Sequence, residues 1–389
     1  MSKFTDNIKS YLPKVFLSSQ KPTNSPPKPD AKKRASQMVK AKPKSVVSYQ
    51  ISDIKKALTL ALNSEKPNRN LLYAIYDYVL EDSQLWFQIY LVALKKVLIE
   101  PFALYSNGKI DEESTKLIKK KWFETLIKYI FESEFFGFRM VELVINDGKA
   151  EIELIPNQNV CPEYKTIWLV DVWQKPMLEY DGIEDDLNLL FFGEKKDLGS
   201  LRKAAYNILW KFYAQSDWSR SSEKFGMALL HIKANTNNDT ELDRLEEKAA
   251  NFGSDGYLVS QDGDDAQIIE RKSDNSHLIF YDRIKYSDEQ SSKVSNGQTG
   301  TSDEKAFVGS AGVHERILDD MILSRLTNIS YEINDQVLPY LIKRGYIPAS
   351  IDEFKFINLD KKKDDTSGDA PKAEDTPTPP TKPNPKKRK

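Results

Sequence analysis

Cysteine is almost absent: Cys161 is the only one in 389 residues. No intrachain disulfide can form, and metal sites built from several cysteines are excluded, which suits a reducing compartment. Histidine is nearly as scarce, with His231, His277 and His314 each about forty residues from the next. None has a partner at i+3 or i+4 to complete a metal pair, so each reads as a surface or packing residue. Long apolar runs are missing too. Leu85–Leu98 is interrupted by Gln88, Lys95 and Lys96, and Leu187–Phe192 falls far short of the ~18 residues a membrane span needs. No secretory signal pattern opens the chain. The expectation is a soluble protein without a membrane partner.

Motifs for catalysis and cofactors are equally thin. Gly297-Gln-Thr-Gly300 lacks the Gly-Lys-Ser/Thr of a Walker loop, where backbone amides and a lysine converge on phosphates. An EF-hand loop begun at Asp262 would need Gly at its sixth position and a carboxylate at its twelfth. Gln267 and Ser273 stand there. No Gly-x-Ser-x-Gly elbow occurs, and Cys161 beside Pro162 has no activating partner. Paired acids such as Asp185-Asp186, Glu246-Glu247 and Asp319-Asp320 belong on solvated faces. No catalytic residue, metal or cofactor is expected. Scattered acids leave one alternative, a metal-dependent enzyme acting on nucleic acid.

What is present is a foldable body between two unlike tails. Hydrophobic residues make up 40% of the chain and charged ones 30%. From about Ser18 to Lys44, and again from Lys361 to Lys389, the chain is poor in large apolar side chains and rich in Pro, Ser, Thr and Lys, so neither stretch offsets its chain entropy by burial, and disordered tails are expected over 1–48 and 359–389. Before Ser45 there are eleven Lys or Arg against two Asp, while the net charge is -1. The body is therefore acidic. Basic tails on an acidic body fit either contact with nucleic acid or an acidic partner, or a solubilising role. The terminal Pro385-Lys-Lys-Arg-Lys389 resembles a nuclear-import signal, which is the only support for a cellular adaptor.

Periodicity divides the body. Helical spacing runs over Ser52–Asn63, Asn70–Glu81, from the Asp82/Ser83 cap to Ile99, and from Asp111 to Phe135. At Gly137 the period changes: Phe138–Ile145 and Ala150–Ile155 flank Asn146-Asp147-Gly148, a hairpin signal. Ile167–Trp173 and Asn188–Phe192 read as further strands. Gly199–Phe225 is helical, then a strand (Met227–Lys233), a helix (Thr240–Phe252), a strand (Gly256–Ser260) and a short piece (Gln267–Glu270). Asn275–Ser295 is helical again. Asn296–Gly312 is a Gly/Ser/Thr-rich stretch too long for an ordinary connection. Val313–Arg344 reads as one long helix with Ile317, Met321, Ile322, Leu326, Ile329, Ile333, Val337 and Leu341 on one face.

The order of several short motifs is similar to that of the Mu-like bacteriophage portal proteins. They are Phe135-Phe-Gly137-Phe-Arg-Met-Val-Glu142, Leu198-Gly-Ser-Leu-Arg-Lys-Ala-Ala205, Asp217-Trp-Ser-Arg-Ser-Ser-Glu223-Lys-Phe-Gly226, Ile268-Ile-Glu270, Ser292-Lys-Val-Ser-Asn-Gly297-Gln-Thr-Gly-Thr301 and Val313-His314-Glu315. The resemblance spans about Leu72 to Tyr346. Two departures, Met227 in place of a proline and Gly300 within the Gln-Thr run, leave the subgroup open.

This resemblance implies an α+β, mostly helical portal fold with wing, stem and clip regions. It places a basic tail at 1–48, the wing at 49–197 with a small antiparallel sheet, stem helices at 198–226 and 273–295, and the clip at 227–272. A tunnel loop follows at 296–312, then the long wing helix and C-terminal part at 313–358 and a tail at 359–389. It further implies a homo-oligomeric ring, a dodecamer, in the virion at the capsid vertex, assembled in the host cytoplasm. Double-stranded DNA would pass non-specifically along Lys293, Asn296, Gly297, Gln298, Thr299, Gly300, Thr301 and Lys305. Terminase large subunit and a head–tail adaptor would dock at Lys233, Asn235, Asn237 and Asn238. A major capsid or scaffold protein would be a further partner.

Overall fold

The computed structural model describes residues 34–39, 48–146, 148–170, 172–225, 229–233, 240, 243, 265–269, 276–299 and 308–357. Helices α1 (Ala35–Met38), α2 (Ile51–Ala61) and α3 (Asn70–Val79) come first. Next, α4 (Ser83–Trp86) continues through π-helical turns at Phe87–Leu94 into α5 (Lys95–Ile99). Strands β1 (Phe102–Ser106) and β2 (Lys109–Asp111) precede α6 (Glu112–Ile118) and α7 (Lys121–Phe136). The strands β3 (Phe138–Asn146), β4 (Lys149–Ile155), β5 (Val160–Cys161), β6 (Thr166–Trp168), β7 (Met177–Glu179) and β8 (Leu189–Gly193) follow. Then come α8 (Leu201–Phe225), β9 (Leu229–Lys233), β10 (Asp265–Ile269), α9 (Ser276–Asn296) and α10 (Val308–Glu332). A π-helical turn at Ile333–Val337 carries α10 into α11 (Leu338–Lys343), and β11 (Glu353–Phe356) is last. The class is α+β, mostly helical with small antiparallel sheets, as expected.

Two compact units divide the chain: Met1–Tyr78 with Glu132–Arg202, and Val79–Phe131 with Lys203–Lys389. The divisions fall inside α3, α7 and α8.

The first unit is organised by β3, paired antiparallel with β4 on one side and β8 on the other. The hairpin expected at Asn146-Asp147-Gly148 is there, with Asn146 opposite Lys149. Phe138, Met140, Val141 and Leu143 are buried along β3, and Tyr73, Tyr76 and Phe136 pack by their ring edges around it. Burying each such side chain contributes roughly 1.5–3 kcal/mol. Arg139 sits over the Phe136 ring at 3.5 Å and pairs with buried Glu132 at 2.8 Å, which offsets its desolvation. Tyr76 donates its hydroxyl to the Leu198 carbonyl at 2.6 Å, and burial raises its pKa above the ordinary tyrosine value.

Part of the N-terminal tail is held here. The backbone amides of Ala35 and Ser36 donate to the buried Glu142 carboxylate, each at 3.0 Å, and Arg34 pairs with Glu151 at 2.6 Å. Within the tail, Arg34–Val39 are held in this way because a single carboxylate on β3 satisfies the first amides of α1.

The second unit has a three-stranded antiparallel sheet, β11-β1-β2, that brings residues 102 and 356 together. Phe102, Phe123, Phe354 and Phe356 form its aromatic core. Along α10 and its continuation, Ile322, Leu326, Ile329, Ile333, Val337 and Leu341 are buried as the spacing predicts, whereas Ile317 is at the surface and Leu318 is buried. The π-helical turn lies just before Pro339, which has no amide hydrogen to give to the Asp335 carbonyl. Gly345, with φ of +67°, ends the helix as expected.

Candidate DNA-channel and partner-docking elements

From Lys203 onward, α8 lies in the second unit together with α9. At 1.5 Å per residue they are about 37 Å and 31 Å long. Lys211 of α8 joins them to the start of α4. Its Nζ is 2.6 Å from Asp82 and 2.5 Å from Asp288. Burial alone would lower the Lys211 pKa, but hydrogen bonds and charge from Asp288 and Asp82 outweigh it and raise the value. Asp82 also caps α4, accepting from the Leu85 amide at 2.9 Å. One carboxylate thus starts a helix and helps fix two others.

Where α9 meets α4 and the π-helical segment, its face is made of serines. Ser287, Ser291, Ser292 and Ser295 are buried. Ser291 and Ser295 return their hydroxyls to the carbonyls four residues back, at 2.8 and 2.9 Å. Small side chains that satisfy themselves in this way let two helices approach closely without a partner across the gap. At the end of this seam Asn296 hydrogen-bonds the Gln88 side chain, and Arg325 of α10 donates to the Ser295 carbonyl at 2.5 Å. The guanidinium of Arg325 lies 5.5 Å from the Phe131 ring centroid.

The seam decides where the expected channel residues go. Lys293 and Gly297 are exposed and Thr299 is half-buried. Asn296 and Gln298 are buried in the single chain, Asn296 with its amide on the Gln88 side chain. Gly297 has φ of +68°, a conformation that turns the chain sharply out of α9. Gly300, Thr301 and Lys305 lie outside the described residues. The expected loop 296–312 is also shorter at its far end, because α10 begins at Val308.

At the other end of the helix pair, β9 and β10 form an antiparallel ribbon with Lys233 opposite Asp265. The strands expected near Met227–Lys233 and Gln267–Glu270 correspond to it. Asn235, Asn237, Asn238, the strand Gly256–Ser260 and most of the helix expected at Thr240–Phe252 lie outside the described residues. Among the described residues there is no cluster of His, Cys, Asp and Glu able to hold a metal, and no helix long and apolar enough to cross a membrane.

Sequence reasoning passed over a third feature, three glycines that bring distant segments into contact in the first unit. A Cβ on Gly199 would lie 2.1 Å from the Phe135 carbonyl oxygen. On Gly137 it would lie 2.3 Å from the Asp197 carbonyl oxygen, and on Gly193 2.5 Å from that of Gly137. All three have positive φ. Their signal was the Phe-Gly and Leu-Gly pairs flanking the strands and α8.

The family model described as the portal protein of Mu bacteriophage matches residues 73–377. The chain belongs to this portal family. Its role is therefore structural and not enzymatic: it is a virion component at the head–tail connection, serving genome packaging and ejection. No curated protein sequence matches. Among solved structures, a chain in the virion of a native gene transfer agent (GTA) particle is 13% identical, covering 82% of this chain and 93% of that one at a TM-score of 0.51. A chain in the neck of a native GTA particle computed with C12 symmetry is 14% identical, with 82% and 93% covered and a TM-score of 0.47. The HK97 family phage portal protein from Corynebacterium diphtheriae is 12% identical, with 70% and 97% covered and a TM-score of 0.40. The first of these likenesses is one of fold.

Proposed function

We propose that this portal protein forms a closed ring of about twelve copies through which double-stranded DNA passes without base reading. The family match over residues 73–377 carries the reading. In it, α8 and α9 wall the channel, the β9–β10 ribbon belongs to the clip, and the segment after Gly297 faces DNA. Exposed Lys293 supports a backbone contact there, and Gly300, Thr301 and Lys305 stay in the proposed set with Thr299 and Gly297. Small polar residues with few cations give weak, salt-dependent phosphate contact, which suits a cargo that must keep sliding. The acidic body acts in the same direction.

Terminase large subunit and a head–tail adaptor are the proposed partners at the clip, around Lys233, Asn235, Asn237 and Asn238. A major capsid or scaffold protein is the proposed partner of the wing. The test is negative-stain imaging of the purified chain. Rings with a central hole are expected; discrete monomers at high concentration with divalent-metal nuclease activity would replace this reading with the enzyme.

A further inference from the structure

Cations collect at one corner of the second unit. Lys116 and Lys119 close α6, Lys120 and Lys121 open α7, and Lys343 and Arg344 close α11; all are exposed. Tyr346 ties these helix ends together. Its hydroxyl donates to the Leu117 carbonyl at 3.1 Å, and its ring meets buried Trp122 edge-on. Lys120 donates to the same hydroxyl at 3.4 Å and lies 5.7 Å from the ring, while Lys119 lies 5.9 Å from the Phe102 ring. Among the described residues, Lys116, Lys119, Lys120 and Lys121 have no carboxylate partner. Glu113 and Glu124, both exposed, flank the run in sequence.

The placement runs against local electrostatics. Lys116 and Lys119 suit the end of α6, where a helix favours cations, but Lys120 and Lys121 stand at the positive end of the 16-residue α7. An anion bound there would relieve both the repulsion among the lysines and that between them and the helix. The corner also opposes the acidic body, which repels polyanions elsewhere. Its aromatic rings Trp122 and Tyr346 are buried, so what it presents is ammonium groups around half-exposed Leu117. Protein interfaces are centred on exposed aromatic residues and are poor in lysine, whereas lysine is a common point-charge partner of phosphate.

We infer that this corner holds the phosphate backbone of double-stranded DNA at a second place, apart from the channel. The separation follows from the long helix. Arg325 marks the end of α9 through its bond to the Ser295 carbonyl. Arg344 comes nineteen residues later on the helix formed by α10 and α11, about 28 Å away at 1.5 Å per residue. The contact is to phosphates alone and reads no bases. It goes beyond the ring reading and does not depend on it. DNA in the virion is then touched by each copy at a point the passing duplex in the channel does not occupy.

The test is lysine acetylation of the full chain, read by mass spectrometry, with and without a mixed-sequence DNA duplex. Lys116, Lys119, Lys120 and Lys121 are expected to react at least about threefold more slowly with DNA present, while exposed Lys55 and Lys56 keep their rates. Lys116→Ala with Lys121→Ala leaves the two ring-packed lysines in place. With melting unchanged, the pair is expected to flatten the plot of log affinity against log salt by about 2, each phosphate contact contributing roughly 0.9. No DNA binding at low salt, or binding through the basic termini with these lysines unprotected, overturns the inference. So does slow reaction without DNA, which would mean that the chain's own Asp364, Asp365 and Asp369, following Ile357 beside Phe102 and Pro101, cover the corner. Stronger protection by polyglutamate than by DNA overturns it in favour of an acidic protein. Imaging judges the ring separately: a ring with unprotected lysines removes the corner alone, and protected lysines without a ring remove the ring alone.

Discussion

Asn296, the last residue of α9, donates its side-chain amide to the Gln88 side-chain carbonyl and approaches the Gln88 main-chain carbonyl at 3.4 Å, across 208 residues of sequence. Both residues are buried, 0% and 1% exposed. The contact holds the point where the chain leaves α9 against the segment that continues α4. Asn296 Oδ1 and Gln88 Nε2 have no hydrogen-bond partner in the structure. Half of each amide is therefore desolvated without return.

That imbalance sets a prediction. Gln88→Leu or Asn296→Leu alone strands a whole buried amide and lowers stability by about 1–3 kcal/mol. The double replacement removes both and costs less than the sum of the two. Denaturant melting of the four proteins checks it, and additive losses would contradict it.

Lys211 gives a second. Lys211→Met leaves Asp82 and Asp288 facing one another without their cation and costs on the order of 3–5 kcal/mol. Adding Asp82→Asn and Asp288→Asn recovers most of that, since asparagine still caps α4. The pH dependence has a definite sign. The folded-state pKa of Lys211 is raised, so its contribution is present below the ordinary lysine value of ~10.4 and is lost as pH rises through the raised one. Melting temperature followed from neutral to alkaline pH should lose a Lys211-dependent component only at the alkaline end, and Lys211→Met should lack it.

The glycines give a third. Gly199→Ala places a methyl 2.1 Å from a carbonyl oxygen. It is expected to cost on the order of 4 kcal/mol or more, with little soluble protein recovered. Gly108→Ala is the control, because its φ is +74° but nothing lies within 4 Å. Strain alone there costs about 1–2 kcal/mol. Equal losses at the two sites would show that the close approach at Gly199 is not what fixes the start of α8.

Cys161 gives a fourth. Burial, then the Glu163 charge, pushes its thiol up to about 11. At pH 8 it should react with a thiol reagent at least about tenfold more slowly in the folded protein than in denaturant. Equal rates would contradict its placement in the buried cluster with Trp168 and Val172.

Much of the fold was legible because apolar spacing alone sets it. The β3–β4 hairpin came from Asn146-Asp147-Gly148, the start of α4 from Asp82, and the end of the long helix from Gly345. The β1–β2 hairpin was equally readable and was missed: Asn107 and Gly108, with φ of 50° and 74°, make the tight turn that the Asn-Gly pair favours. Its partner β11 lies some 250 residues further on, and no local pattern signals a pairing that distant. The helix expected over Asp111–Phe135 is interrupted at Lys119, which ends α6 with ψ of 64°.

The site was harder for a physical reason. A stretch of small polar residues reads as a loop whether it faces water or another helix. Ser287, Ser291 and Ser295 look like a solvated face and are a packed one. Asn296 and Gln298 look like loop residues, yet they are buried because Gln88 and the long helix wait for them. Lys293, one turn earlier, is exposed.

The most direct test is a cryo-EM reconstruction of the assembled protein. The account predicts a closed ring whose hole is walled by α8 and α9, with the segment after Gly297 at its narrowest point. A closed ring lined by other elements, or particles with no central hole, would contradict it.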